Sequence, residues 1–353
     1  TYSTQHENAI KIDCINNKDI ASTGSPSFIK SLTQIPGVDM IAKGNGVVQP
    51  VIRGLSMTNI LMLNNGVKLE NFQFSENHPY LIDEFGVDRV EVIKGPASLL
   101  YGSDAVGGVI NVIKEKPAID GKIEGDYNAQ YHSNTEGLVT NLGIKSRSGD
   151  FFYGLRAGIR SHQDYKDGNM DRVPNTRYNE NSFKVNLGLN RSFGVFRLFY
   201  DYNRPKLGMC VGDAIKDVTE NGRKNKYWYQ DLTNHIISTK NTLFLGKYKF
   251  DMNASYQMNN RKLQTDNHTP AFDMVDMDMN TFSYEIKTYL PSSANSEYIL
   301  GIQGANKTNR NHNAPNHVIP DANVDDFSFF GLAQKTFFTK LNTQAGLRYD
   351  YRY

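Results

Sequence analysis

Residues 248–258 read YKFDMNASYQM, and along this stretch apolar and polar side chains alternate without a break. Residues 183–190 (FKVNLGLN) and 343–352 (TQAGLRYDYR) show nearly the same alternation. In an extended strand, such alternation places the apolar side chains on one face and the polar side chains on the other. The sequence therefore predicts long strands with one apolar and one polar face.

The length and spacing of these strands distinguish between kinds of sheet. Further alternating segments lie at Phe151–Arg160, Val195–Asn203 and Phe282–Lys287. Several runs reach about ten residues, which is the length that a tilted strand needs to cross a bilayer and more than is usual in a soluble sandwich. Long connections, expected at about 162–180, 204–232, 262–278 and 309–323, alternate with short ones. Alternating short turns and long loops are typical of outer-membrane β-barrels.

The composition agrees with a strand-rich protein. Tyr (20), Phe (19) and Gly (29) are abundant among the 353 residues, and Trp occurs once. The 39 basic and 37 acidic residues nearly balance, and we expect no nucleic-acid partner because no basic run is interleaved with aromatic residues. Cys14 and Cys210 have no CxxC partner, which excludes a zinc finger, while a disulfide between them stays open.

The pattern of the sequence changes near Pro117. Before it, short strands are predicted at Ala9–Ile15, Val38–Ile41, Pro50–Arg53, Ile60–Leu63, Val90–Ile93 and Val109–Ile113. Ser25 and Pro26 predict the N-cap and first position of a helix that ends at Pro36-Gly37. We therefore expect a small α+β domain over residues 1–117 and the long strands over residues 118–353.

Motifs that suggest an enzyme are incomplete. Gly44-Asn45-Gly46 lacks the full dinucleotide fingerprint, and Ser103 does not stand in a nucleophile elbow. Asp83 and Glu84 are adjacent in sequence, so their side chains point apart rather than across a scissile bond. We expect no catalytic residues.

Two histidine-containing loops are candidates for contacts with a metal or an anionic ligand, although solvated loop histidines remain the alternative. Carboxylate and thioether donors occur together there, so no single metal class is selected. The candidate loop residues are His268, Asp273, Met274, Asp276, His312 and His317.

Residues 87–113, VDRVEVIKGPASLLYGSDAVGGVINVI, closely resemble the end of the plug domain of TonB-dependent outer-membrane receptors. Residues 32–38 (LTQIPGV), 50–55 (PVIRGL) and 61–67 (LMLNNGV) look like the earlier plug motifs in the same order. The resemblance implies an α+β plug in the lumen of a transmembrane antiparallel β-barrel of about 22 strands. It also implies a place among the lipids of the Gram-negative outer membrane.

The same resemblance implies an active transporter without covalent chemistry and without a resident cofactor. Its expected partners are the TonB energy-coupling complex and a scarce ligand, with an iron–siderophore or another metal complex favoured. A receptor of the same fold for glycans or peptides is a second alternative. A small outer-membrane barrel that serves as an enzyme or adhesin is a third.

Particular residues carry the functional expectations. The ligand should contact the plug apices Lys43–Val48 and Phe72–Tyr80, because exposed loops on a rigid scaffold commonly bind ligands. The candidates are Lys43, Asn45, Phe72, Gln73, Phe74, Glu76, Asn77, His78 and Tyr80. The resemblance implies a lock between plug and barrel, for which the candidates are Arg53, Arg89, Glu91 and Lys94. Lys94 stands where Arg is usual and lacks the bidentate guanidinium.

The barrel predicted from this chain is incomplete. About 236 residues follow the plug and hold about eleven strands, at roughly 20 residues for a strand and half a connection. This is half of what the resemblance implies, and the chain stops within a predicted strand at Tyr353. We therefore expect a plug and the N-terminal half of a barrel, and we identify no coupling segment in Thr1–Asn8.

Overall fold

The computed structural model describes residues 12–71, 75–94, 101–102, 104–265, 273–291, 295–338 and 341–353. Within these ranges the strands form three sheets. Two small sheets lie within residues 12–117, here called the plug region, and one eleven-stranded sheet, here called the wall, follows.

The described residues of the plug region form a five-stranded and a three-stranded sheet together with the short helices Asn17–Ser22 and Phe28–Leu32. The five-stranded sheet has the order β1-β7-β8-β5-β6, with β5 parallel to β8 and the other pairs antiparallel. The three-stranded sheet has the order β2-β3-β4. The strands are β1 Ile12–Asn16, β2 Val38–Ala42, β3 Val48–Ile52, β4 Leu55–Ser56, β5 Ile60–Asn64, β6 Val67–Lys68, β7 Val87–Lys94 and β8 Gly108–Lys114.

The helix start predicted at Pro26 is wrong by two residues. The helix spans Phe28–Leu32 and is preceded by a further helix, Asn17–Ser22. Ser27 is its N-cap, whereas the Ser25 hydroxyl accepts the Ser27 N–H at 3.2 Å and so belongs to the turn before the helix.

The wall is a continuous antiparallel sheet in which strands adjacent in sequence are adjacent in space. Its strands are β9 Ile123–His132, β10 Gly137–Ser148, β11 Phe151–His162, β12 Tyr178–Arg191, β13 Gly194–Gly208, β14 Tyr229–Leu245, β15 Tyr248–Gln264, β16 Asp273–Tyr289, β17 Ser296–Asn311, β18 Ala322–Phe337 and β19 Leu341–Arg352. The connections after β11, β13, β15 and β17 are long, as predicted, and mark the long-loop end of the wall.

The two faces of the wall differ as the alternation predicts. On β11, Phe151, Leu155 and Ile159 are exposed, whereas Phe152 and Arg156 face the plug region and are buried. The apolar core of the plug region is built from both its small sheets and helices, and Ile236 of β14 packs against it. The polar face of the wall therefore lies against the plug region. None of the helices in the described ranges is long and apolar enough to cross a membrane.

Candidate functional site

The first predicted apex, Lys43–Val48, lies at the long-loop end of the wall. At Gly46 a Cβ atom would lie 2.9 Å from Tyr178, the first residue of β12, so only glycine allows the loop to approach so closely. The Lys43 Nζ lies 3.2 Å from Glu76 Oε2 of the second apex, and both side chains are about half exposed. The structure thus brings two predicted ligand contacts together at an exposed tip.

The rest of the second apex is more deeply placed. His78 and Tyr80 are buried, and Tyr80 packs in the core of the plug region, where burial raises the pKa of its hydroxyl. The main-chain carbonyl of Asn77 accepts a hydrogen bond from Gln230 Nε2 at 2.8 Å. Phe72, Gln73 and Phe74 lie outside the described residues. The accessible candidates are therefore Lys43, Asn45, Glu76 and Asn77.

The predicted lock residues have these contacts. Arg89 binds Glu91 at 2.6 Å and Asp88 at 3.0 Å, all within β7. Lys94 binds Asp13 of β1 at 2.7 Å, and its ammonium also donates to the carbonyl of Pro36. Arg53 is exposed at a turn with φ of 50°. The described contacts of Arg89 and Lys94 thus lie within the plug region, and their role in a lock stays a prediction.

Other charged residues join the plug region to the wall. Their pairs are Lys114–Asp201 at 2.5 Å, Asp83–Lys184 at 2.6 Å, Glu84–Arg160 at 2.7 Å, Glu115–Arg156 at 3.1 Å and Glu70–Lys307 at 2.5 Å. Each pair is wholly or largely buried, so solvent screening weakens these pairs less than exposed ones. Asp83 and Glu84 do point apart, as predicted, and each meets a separate cation of the wall.

The signal for these pairs was present in the sequence. Arg156, Lys184 and Asp201 stand at inward positions of otherwise alternating strands, and the register places them side by side across β11, β12 and β13. A buried charge at an inward position requires a partner, which Lys184 and Asp201 find in the plug region, whereas Arg156 also binds Asp126 of β9 at 2.6 Å. The sequence alone does not say which residue of the plug region that partner is.

A second set of contacts lies at β15–β17 and converges on Lys68 and Glu70. Gln257 donates to the Lys68 carbonyl at 2.7 Å, and Asn259 donates to the Glu70 carbonyl at 2.8 Å. Burial by itself raises the pKa of Glu70, but Lys68 and Lys307 outweigh it and lower this pKa to about 2. Glu70 is therefore an ionised anchor between the plug region and the wall.

The long loops after β11 and β13 are tied to each other. Asp164 is fully buried and binds Arg177 at 2.6 Å, and Arg177 also donates to the carbonyls of Glu220 and Lys224 in the next loop. Arg223 of that second loop donates to the carbonyls of Ser161 and Glu136. Hydrogen bonds from Arg177 therefore join the two loops, and Arg223 ties the second loop to β11 and to the connection after β9.

The main chains of the two candidate loops meet, since the Asp276 carbonyl accepts the His312 N–H at 2.8 Å, whereas the described side-chain partners of the candidates lie outside the candidate set. Asp273 and Asp276 both bind Lys262, at 3.2 and 3.0 Å, and the Met274 carbonyl accepts the Asn316 N–H. His312 lies 2.7 Å from Asp278 and His317 is exposed, whereas His268 lies outside the described residues. Within the ranges that the structure describes, no group of three or more His, Cys, Asp or Glu residues can hold a metal ion. Cys14 and Cys210 are unpaired thiols.

A cavity of about 300 Å³ separates part of the plug region from the wall. Leu61, Leu63, Lys68, Glu70 and Asp104 line one side of it. Strands β15–β19 line the other side, and Lys68 binds Asp104 at 2.5 Å along its edge.

Comparisons with known proteins agree with this architecture. A family profile described as the TonB-dependent receptor plug domain matches residues 4–109. The vitamin B12 transporter BtuB of Vibrio vulnificus is 27% identical over 234 residues, which cover 64% of this chain and 33% of that protein. BtuB of Photobacterium profundum is 32% identical over 103 residues, which cover 29% of this chain and 17% of that protein.

Solved structures extend the likeness to the whole chain. The siderophore receptor PirA of Acinetobacter baumannii aligns with a TM-score of 0.78 at 13% identity, over 97% of this chain and 56% of that one. The copper transporter OprC aligns with a TM-score of 0.75 at 16% identity, over 97% and 55%. At such identities the likeness shows the fold, and the chain spans little more than half the length of these receptors. The first third of the chain thus matches the plug domain of TonB-dependent receptors, and the whole chain has the fold of the plug and part of the barrel of outer-membrane receptors.

Proposed function

We propose that this chain forms part of an active transporter that imports a scarce ligand across the outer membrane, driven by the TonB complex. The observation that carries the proposal is the plug region itself, which fills the concave face of the wall and is fixed there by buried ion pairs such as Lys114–Asp201. A plug held in this way blocks passive flow, so transport requires work on the plug. We also propose residues 1–117 as the plug domain and 118–353 as the barrel portion.

The geometry supports ligand capture at the long-loop end of the receptor and release at the other end. The joined loops after β11 and β13 and the apex pair Lys43–Glu76 lie at the long-loop end, where they are placed to capture a ligand. The proposed ligand contacts are Lys43, Asn45, Phe72, Gln73, Phe74, Glu76, Asn77, His78 and Tyr80, and the loop candidates are His268, Asp273, Met274, Asp276, His312 and His317. Binding there and release on the other side need no bond to break, so the proposed protein is not an enzyme.

For the ligand we propose an iron–siderophore complex. The solved receptors with this fold include the siderophore receptor PirA and a variant of the ferric enterobactin receptor PfeA of Pseudomonas aeruginosa in complex with enterobactin. Cobalamin is the second candidate, because the relatives found by sequence are described as vitamin B12 transporters. Copper is the third, since OprC is described as a copper transporter.

Uptake by the complete receptor tests the proposal. Cells that lack the gene, cells that carry it and cells that carry it without TonB would be given radiolabelled ferric enterobactin, cyanocobalamin or copper(II) in turn. The proposal expects uptake of ferric enterobactin only when both the receptor and TonB are present. Uptake of cyanocobalamin or copper instead would replace the ligand and keep the transport mechanism. Uptake that does not depend on TonB would overturn the mechanism.

The apex contacts have a separate test. Deleting Phe72–Tyr80 is expected to abolish binding of the transported probe while the barrel still inserts in the outer membrane. Unchanged affinity in the deletion would rule out this apex as the ligand site. Lys43→Met, which removes one charge from the exposed pair, is the milder companion variant.

A further inference from the structure

The turn at the tip of the second apex is held by side-chain amides. The turn closes through the His78 N–H, which donates to the Ser75 carbonyl at 3.0 Å. Gln49 Nε2, in strand β3, donates to the same carbonyl at 2.6 Å and also to the carbonyl of His78. Gln230 Nε2, in strand β14 of the wall, donates to the Asn77 carbonyl at 2.8 Å. Two glutamine side chains therefore bind three carbonyls of this turn.

The amide of Gln230 is itself oriented by a buried arginine. Arg261 of β15 lies directly opposite Leu232 of β14, and its Nη2 reaches diagonally to Gln230 Oε1 at 2.8 Å. A guanidinium has only donors, whereas an amide has one accepting end and one donating end. Arg261 therefore binds the oxygen end of the amide and leaves Nε2 for the Asn77 carbonyl. With the amide reversed, two oxygen atoms would face each other at the turn.

Burial makes these contacts decisive for the position of the turn. Gln49, Gln230 and Arg261 are 0, 1 and 4% exposed, so water does not readily replace a lost donor. A buried carbonyl that loses its donor is destabilised, which favours the one arrangement in which each amide reaches its carbonyl. The position of the turn is therefore coupled to the orientation of the Gln230 amide.

The exposed charges of the apex depend on the same turn. Glu76 stands between Ser75 and Asn77, whose carbonyls are both bound. The Glu76 carboxylate lies 3.2 Å from Lys43 Nζ of the first apex. A pair of groups that is already in place loses less conformational freedom on binding than a pair that must first be ordered. Fixing the turn therefore favours binding at the tip.

We propose that Arg261 and Gln230 are positioning residues for ligand capture. Arg261 orients the Gln230 amide, and this amide fixes the second apex in the geometry that binds the transported ligand. The inference rests on the proposed function, and it adds two buried residues that act through the apex instead of through contact with the ligand.

An isosteric substitution separates positioning from folding. Gln230→Glu keeps the shape of the side chain, and one of its oxygens pairs with Arg261. The other oxygen faces the Asn77 carbonyl, so the donor that holds the turn is replaced by a repulsion. Arg261→Met is the companion variant, because it leaves Gln230 in place and removes the group that orients it.

The wall offers a matched control in Gln257→Glu. Gln257 is also 1% exposed, and it lies four residues from Arg261 along β15. Its Oε1 accepts the Glu70 N–H at 3.1 Å, and its Nε2 donates to the Lys68 carbonyl at 2.7 Å. The control therefore changes the same kind of contact between the wall and the plug region but leaves the contacts of the apex intact.

The complete receptor is compared with its variants by two measurements. Hydrogen–deuterium exchange of the His78 amide reports opening of the turn. Equilibrium binding of ferric enterobactin, with cyanocobalamin and copper(II) as alternative probes, reports capture. We expect Gln230→Glu and Arg261→Met to speed exchange and to weaken binding about tenfold, and Gln257→Glu to change either by less than about twofold. Gln230→Glu should unfold near the parent temperature, because its carboxylate pairs with Arg261.

The outcomes distinguish the positioning role from the proposed function. Exchange and affinity that both stay at the parent values in Gln230→Glu would overturn the positioning role. Equal effects in Gln257→Glu would also overturn it, because any weakened contact between the plug region and the wall would then act alike. Faster exchange with unchanged affinity would overturn the apex as the ligand site and, with it, the role in capture. A parent receptor that binds none of the three probes would overturn the proposed ligands, while exchange still decides whether Gln230 fixes the turn.

Discussion

Replacing Lys114 by methionine is expected to weaken the attachment of the plug by about 3–5 kcal/mol. Lys114 Nζ lies 2.5 Å from Asp201 Oδ2, and each side chain is less than a tenth exposed. Methionine keeps the length of the side chain and removes its charge. The Asp201 carboxylate then stays in the interface, where a hydrogen bond from Asn64 Nδ2 at 3.3 Å remains. Because water does not reach the Asp201 carboxylate freely, most of the lost attraction lowers the free energy that holds the plug to the wall.

Hydrogen–deuterium exchange of the β8 amides measures this loss. Strand β8 is paired on both edges, with β5 and β7, so its amides exchange when the plug opens. A loss of 3–5 kcal/mol corresponds to exchange that is about 100- to 4,000-fold faster. The same substitution at Lys43, whose pair with Glu76 is about half exposed, is the control and should change the rate less than about fivefold.

Two results would refute this reasoning. A Lys114→Met receptor whose β8 amides exchange within about threefold of the parent rate would show that the buried pair contributes less than about 1 kcal/mol. In the double variant Lys114→Met/Asp201→Leu no charge is left unpaired, so most of the protection should return. A double variant that exchanges as fast as Lys114→Met would assign the effect to packing instead of charge.

Three further outcomes are expected from single substitutions. The pKa of Glu70 is lowered from 4.5 to about 2, so this carboxylate stabilises the plug above pH 4.5 and loses the effect as the pH falls towards 2. The urea midpoints of the parent and of Glu70→Gln should therefore differ at pH 6 and converge near pH 2. Gly108→Ala should destabilise the plug by about 2–4 kcal/mol in thermal unfolding, since its Cβ would lie 2.6 Å from the Ile93 carbonyl oxygen at a φ of +147°. Asp164→Asn weakens the charge pairing of the buried Arg177, and proteases should cleave its loop faster than in the parent.

The wall could be predicted from sequence because alternation is a local property. The run expected at Phe151–Arg160 is a strand that extends to His162, and the run from Tyr248 continues to Gln264. The number of long strands, about eleven, is confirmed. The strand residues beyond the predicted runs lie near the long-loop end of the wall. Polar side chains occupy both faces of the strands there, so apolar and polar residues no longer alternate.

The attachment of the plug could not be predicted in the same way. Glu70 and Lys307 are 237 positions apart, and no local pattern connects them. The sequence offers Arg53, Arg89, Glu91 and Lys94 for the lock, and their role there stays a prediction; the described contacts of Arg89 and Lys94 hold β7 and β1. The helix Asn17–Ser22 was missed because its six residues are too few for a clear helical period.

The contacts of the long loops after β11 and β13 have a consequence for experiments that exchange loops between receptors. Arg177 of the first loop donates to main-chain carbonyls of the second, and Arg223 of the second loop donates to the carbonyl of Ser161 in β11. A chimaeric receptor that receives one of these loops alone would lose the hydrogen bonds from Arg177 to the carbonyls of Glu220 and Lys224 and keep only its pair with Asp164. For the same reason, an antibody raised against a linear peptide copied from either loop would bind a shape that the native surface does not present. The two loops are a single epitope, and they should be grafted together.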